Sequence, residues 1–146
     1  MKYGAFLPHI GPLANGDVRA NIRTTAQNAE ALGFDSVWTG DHIVIPTNIA
    51  SRYPYTATGS FPMNPNAPLL EPLTVLSFVA ACTTKIRLGT AVLVLPHRNA
   101  VVTAKTVATL DVLSGGRVIL GVGVGWMEEE FNAVNASFAH RGPISD

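Results

Sequence analysis

The strongest constraint on this chain is an order of elements. Strand-like apolar runs begin near Lys2, Phe34, Ile86 and Arg117, and a stretch with helical spacing follows each of them. Alternation of this kind implies right-handed crossovers, so the strands run parallel in one sheet with helices packed against it. With the irregular stretch 43–70 set aside, the repeat is about 31 residues, which is the unit length of an eightfold barrel of about 250 residues. The predicted class is therefore α/β: the first four βα units of a TIM-type (β/α)8 barrel, a parallel sheet, and a long loop after strand 2. Residues 1–146 form one domain in this reading, the N-terminal half of the barrel, with no second domain. A small doubly wound open sheet fits the same alternation.

Taken in order, Lys2 to Pro8 is a short strand ended by proline. Asp17 is placed to cap a helix whose apolar positions Val18, Ile22, Ala26, Ala29 and Leu32 follow three-to-four spacing, with Gly33 closing it. Phe34 to Thr39 is the second strand, and it opens through Gly40 onto two ionisable residues, Asp41 and His42. From 43 to 70 periodicity stops, and five of the ten prolines fall here, Pro46, Pro54, Pro62, Pro65 and Pro68. Such a loop inside a compact domain usually has a function, and Tyr53, Tyr55 and Phe61 predict a lid that packs over something. Glu71-Pro72 starts the next helix, with Leu73, Leu76, Val79 and Ala80 facing inward. Ile86 to Leu95 is strand 3, with Gly89 marking a bulge or a close backbone approach. A well-buried helix is expected from Ala100 to Leu113, stopped by Ser114-Gly115-Gly116.

Strand 4 begins the run Arg-Val-Ile-Leu-Gly-Val-Gly-Val-Gly-Trp, residues 117–126, which passes into Met127 and three glutamates. Val118, Ile119, Leu120, Val122 and Val124 put apolar groups on both faces, as in an interior parallel strand covered on both sides. Gly121, Gly123 and Gly125 then either let the backbone cradle a phosphate or only relieve crowding in a tight turn. Their spacing matches neither the dinucleotide fingerprint nor the P-loop. A final helix is expected over about Glu128 to Asn135, followed by an irregular tail.

The chain is 47% hydrophobic and 14% charged, so most of it should be buried in a fold. A formal net charge of +0 lacks the basic footprint needed for nucleic acid or an anionic membrane, and a small-molecule partner is expected instead. The single cysteine, Cys82, favours a reducing compartment or an inert buried thiol. Ala5-Phe6-Leu7 is cut short by Pro8, and no apolar run is long enough for a bilayer, which reads as a cytoplasmic protein. His9, His42, His97 and His140 show no clustered ligand spacing, so no metal is expected.

Several stretches together resemble the bacterial luciferase-like superfamily: Met1 to His9, Ala31 to His42, Ile86 to Pro96, Leu110 to Arg117, and Gly121 to Trp126 with Glu129-Glu130-Phe131. The similarity is greatest to its branch of coenzyme F420-dependent oxidoreductases and covers nearly the whole chain in the right order. The resemblance implies an eight-stranded barrel with a site at the C-terminal ends of the strands. Asp41 and His42 match an acidic-histidine pair beside the cofactor, and the resemblance implies that His42 is the proton donor. The bland alternative is a histidine that caps the sheet or bonds to the lid. Ala91-Val92 matches the position of a non-proline cis peptide that bulges against the tricyclic ring. Val94 falls where some relatives carry a hydroxyl side chain near the cofactor, Val124 and Gly125 match backbone positions along the cofactor, and Glu129 matches a cofactor contact. Trp126 departs from the sugar-phosphate dehydrogenases of the superfamily, which have glutamate there.

The implied function is hydride transfer between a deazaflavin and a small organic substrate. The alternatives are an FMN-dependent monooxygenase of the same superfamily and a non-catalytic half-barrel fragment. Four barrel strands alone leave two open edges, so the chain is expected as a homodimer or together with the other half of the barrel.

Overall fold

The computed structural model describes residues 1–145. Its strands are β1 (Gly4–Phe6), β2 (Ser36–Thr39), β3 (Arg87–Thr90), β4 (Leu93–Val94), β5 (Val118–Ile119) and β6 (Val122–Gly123). Its helices are α1 (Val18–Ala31), α2 (Pro72–Cys82), α3 (Ala100–Ser114), α4 (Glu128–Ala133) and α5 (Arg141–Ile144). β1, β2, β3 and β5 lie side by side in that order, and every pairing is parallel. The expected α/β class with sequential parallel strands is what the chain forms.

The caps explain where the helices begin. Asp17 accepts a hydrogen bond from the Ala20 N–H at 3.0 Å, Glu71 from Thr74 at 2.7 Å, and Asn99 from Val102 at 3.1 Å, each satisfying a donor left over in a first turn. The core lies between one face of the sheet and the helices: Leu7, Val37 and Leu88 meet Ile22 and Ala26 of α1, Leu76 and Val79 of α2, and Leu110 of α3. The other face carries Phe6, which is 48% exposed, and Trp38, whose ring lies across the bare backbones of Gly4 and Gly89 on the neighbouring strands.

Three expectations are corrected. Strand 3 is not continuous from Ile86 to Leu95: it breaks at Ala91–Val92, the position named for a cis peptide, and that bond is cis. Strand 4 breaks beside it, at Leu120–Gly121, and pairing resumes as a short parallel β4–β6 ladder. The Thr90 hydroxyl spans the gap, donating to Gly121 O at 2.7 Å and accepting from Gly121 N at 3.1 Å. A side chain at Gly121 would meet the Thr90 carbonyl oxygen, so this glycine serves close backbone approach.

The second correction is that the Arg117–Trp126 run is not covered on both faces, whereas its lying at one of two open edges is what four barrel strands were expected to leave. β5 has β3 on one side only among the described residues, and Leu120, Val122 and Val124 are all exposed. Third, α3 is not well buried. Its stripe of Thr103, Val107, Leu110 and Ser114 packs inward, whereas Val101, Val102, Val112 and Leu113 face outward. Its apolar residues are spread around the helix, and only one stripe can reach the sheet.

Candidate active site

All four units deliver their C-terminal ends to one side of the sheet. There β2 runs out through Gly40 to Asp41 and His42, β3 through Ala91–Val92 to β4, and β5 through β6 to Val124, Gly125 and Trp126. These segments line one cleft of about 570 Å3, with Phe6 and Ile10 from the first unit and Tyr53, Phe61 and Met63 from the loop 43–70. Of the residues singled out in the sequence, Asp41, His42, Ala91, Val92, Val94, Val124 and Gly125 all border this cleft.

A larger groove of about 670 Å3 between α3, the β5 edge and α5 is lined mainly by aliphatic groups such as Leu95, Val107, Leu120 and Ile144. Asp111 on its wall already accepts from the Val118 N–H at 3.2 Å. Groups able to move a proton belong to the cleft.

His42 is the side chain best placed for that. Its Nδ1 lies 2.8 Å from Glu130 Oε2, a buried carboxylate on α4. The second oxygen, Oε1, accepts from the backbone N–H groups of Ile43 at 2.5 Å and Val44 at 3.3 Å. Burial pushes the Glu130 carboxyl up, but the hydrogen bond and charge of His42 and the Ile43 N–H outweigh it and hold the group below the usual carboxylate range. His97 approaches the same carboxylate at 4.0 Å, yet its ring is buried with both nitrogens unpartnered and packs edge-on against Phe131. Burial lowers His97 against the opposing pull of Glu130 and Asp41, so near neutral pH it is uncharged, and it lies outside the cleft lining.

Asp41 has a different task. Arg98 grips it bidentately, at 2.5 Å and 3.0 Å, and the Val94 N–H donates to it at 2.8 Å. Both oxygens are engaged and the side chain is fully buried, so Asp41 ties the end of β2 to the β4 segment. Glu129 lies outside the cleft lining. It accepts from Ala50 and Ser51 N–H groups at 2.6 Å and 3.0 Å and so fastens the middle of the loop.

The loop does act as a cover. Tyr53, Phe61 and Trp126 pack against one another at 5.0 to 5.2 Å between ring centroids, and Phe61 sits 5.1 Å from the His42 ring. The sequence reading missed Glu130 and Arg98. For Glu130 a signal exists: Met127, Glu130 and Phe131 share one helical face, and both apolar members are buried, whereas Glu129 projects elsewhere.

Two carboxylates therefore hold the loop, Glu130 at its start and Glu129 in its middle. Burial pushes Glu129 up too, but its bonds to Ser51 and Ala50 prevail and lower it, as for Glu130. A depressed folded value means that the anchoring is complete above the ordinary carboxylate value of 4.5 and is lost as pH falls through the folded values. Acid titration should therefore change Trp126 emission below pH 4.5, ahead of far-ultraviolet circular dichroism, and Glu129→Gln should blunt the change. Emission and helicity moving together would show that the loop is not released separately.

A family model described as luciferase-like monooxygenase matches residues 1–145. An uncharacterized protein of Mycobacterium tuberculosis is 36% identical over 121 residues, which are 83% of this chain and 42% of that protein. A phthiodiolone/phenolphthiodiolone dimycocerosates ketoreductase of Mycobacterium bovis is 38% identical over 109 residues, 73% of this chain and 28% of that one. Among solved structures, the coenzyme F420-dependent tetrahydromethanopterin reductase of Methanopyrus kandleri superposes with a TM-score of 0.61 at 26% identity, covering 94% of this chain and 30% of that one. The FMN complex of a diketocamphane monooxygenase constituent from Pseudomonas putida gives 0.67 at 20% identity, covering 92% and 32%. The chain thus spans less than half the length of each of these proteins. No helix among the described residues is long and apolar enough to cross a membrane.

Proposed function

The chain belongs to the luciferase-like monooxygenase family of oxidoreductases and monooxygenases, and from that premise we propose that it builds the cofactor face of an enzyme that transfers a hydride between coenzyme F420 and a small organic substrate. One observation carries the reading: His42, held by a buried carboxylate, stands in the cleft where Ala91–Val92 and Val124–Gly125 converge. These residues fit a tricyclic ring. Val92, Val94 and Val124 offer an apolar wall, and at Gly125, with φ of 76°, a side chain would collide with Phe131 and Val94. Bound there, a deazaflavin supplies the hydride donor or acceptor. The chain's own residues do the rest: Val92 and Gly125 shape the ring site, the Tyr53–Phe61–Trp126 cluster limits water, and His42 gives or takes the proton coupled to the hydride.

The ketoreductase relative supports reduction of a carbonyl, and the F420-dependent reductase supports the deazaflavin. The second reading, an FMN-dependent monooxygenase, is favoured by the fold shared with the FMN-bound enzyme. Titration with F420 and with FMN separates them by which one quenches Trp126 emission. Preferential FMN binding, with oxygen consumed when the cofactor is reduced, would sink the deazaflavin assignment.

The open β5 edge and the exposed Leu120, Val122 and Val124 belong to the same proposal. Unpaired parallel edges of this kind invite association, with a second copy or with the strands of a longer chain. The 146-residue chain by itself should run as a dimer or precipitate and should hold cofactor weakly. A monodisperse monomer in light scattering that binds cofactor tightly would remove this part.

A further inference from the structure

We propose that Glu130 is the positioning residue of the site: it fixes which nitrogen of His42 carries the proton and joins that choice to the seating of the loop. The inference rests on the reading of His42 as the proton-transfer group, but the geometry behind it does not. Glu130 is 2% exposed, and its two oxygens face different partners. Oε1 is claimed by the Ile43 and Val44 N–H groups, the first two residues of the loop, which leaves Oε2 facing His42 Nδ1. A carboxylate can only accept, so the neutral imidazole must donate from Nδ1–H, and its lone pair then sits on Nε2. Nε2 has no protein hydrogen bond among the described residues and is not enclosed, so it is the nitrogen offered to the cleft.

Among the described residues no guanidinium or ammonium group pairs with Glu130. Arg98 is taken by Asp41 and Glu71, and His97 is uncharged near neutral pH. When His42 takes a proton on Nε2, the imidazolium is stabilised by a carboxylate already in contact, with no reorganisation needed. Because Oε1 is pinned by loop backbone, unseating residues 43–44 would also release the carboxylate that orients the histidine. Orientation and closure are one device.

The substitution that tests this is Glu130→Gln, which keeps size and shape. The Ile43 and Val44 N–H groups require an acceptor, so they claim the amide oxygen and leave the NH2 group facing His42 Nδ1. Nδ1 must then accept, and the imidazole proton moves to Nε2. The readout is the ring-nitrogen spectrum of the 15N-histidine-labelled protein at a pH where its imidazoles are neutral, with His42 identified by the resonances missing in His42→Gln. The expected result is the Nδ1–H tautomer in the wild type and the Nε2–H tautomer in Glu130→Gln. Retention of one tautomer in both proteins overturns the proposal. So does an Nε2–H tautomer in the wild type, a measurement that stands even where the variant does not fold. In the form of the enzyme that turns over, the wrong tautomer should slow the single-turnover step by at least about tenfold. An inverted tautomer with an unchanged rate would uphold the positioning by Glu130 and remove His42 from the reaction, so the two failures are separable.

Discussion

Replacing His42 with alanine should lower the single-turnover rate of hydride transfer by about 10² to 10⁴-fold, with a much smaller change in cofactor affinity. The expectation follows from position. His42 meets Phe61 at 5.1 Å and Glu130 at 2.8 Å, so its removal leaves the apolar walls of the cleft, Val92, Val94 and Val124, where they are. A neighbour that only packs would mainly alter binding, whereas a group that transfers a proton in the transition state alters the chemical step. The measurement is stopped-flow oxidation or reduction of bound cofactor in the assembled enzyme, paired with an affinity titration. A rate equal to wild type with weakened binding would make His42 a packing residue. Since Glu130 then faces the cavity that alanine leaves, a folding check on the variant belongs beside the kinetics.

The largest stability effect is expected at Arg117. Its guanidinium donates to Ser114 O at 2.6 Å, Ala80 O at 2.9 Å, Ile86 O at 3.1 Å, Thr83 O at 3.2 Å and the Thr83 hydroxyl at 2.9 Å. These acceptors lie at the C-terminal ends of α2 and α3 and at the entry to β3, where carbonyls lack helical partners and the helix dipoles favour a cation. One side chain thus closes two helices and ties them to the sheet. Arg117→Met keeps the apolar stem but strands several half-buried acceptors, each costing about 1 to 3 kcal/mol where water cannot replace the donor. With partial hydration, the expected loss is about 3 kcal/mol, a large share of the roughly 5 to 15 kcal/mol that stabilises a domain. Urea unfolding followed by circular dichroism tests it, and Arg117→Lys should recover less than half because an ammonium cannot fork to both helix ends. A loss under about 1 kcal/mol would mean that water satisfies these carbonyls.

Glu129 and Glu130 mark the limit of what could be read from residues alone. Both precede Phe131 in a helix start where any glutamate suits the dipole, and family likeness pointed to Glu129. Neighbouring helical positions point about 100° apart, so only the docking of α4 on the loop decides that Glu130 reaches His42 and Glu129 reaches Ala50 and Ser51. Asp41 is similar. Its place after β2 was legible, but its commitment to Arg98, 57 positions away, was not.

Local signals determined the order of strands and helices, because proline, glycine, capping side chains and apolar spacing act within a few residues of where they stand. Asp17 and Glu71 begin the helices that their spacing announces, and the strand ends that carry Asp41, His42 and Gly125 could be numbered in advance. Tertiary structure alone decided how the break flagged at Ala91–Val92 is bridged to strand 4 through Thr90 and Gly121, since that contact joins residues 31 apart. It alone left half of α3 uncovered: hydrophobicity records that a face prefers burial, but which face finds a partner depends on what is packed beside it. It also gave His42 its carboxylate, across 88 positions of chain, because a hydrogen bond needs an angle and a distance that no spacing in sequence encodes.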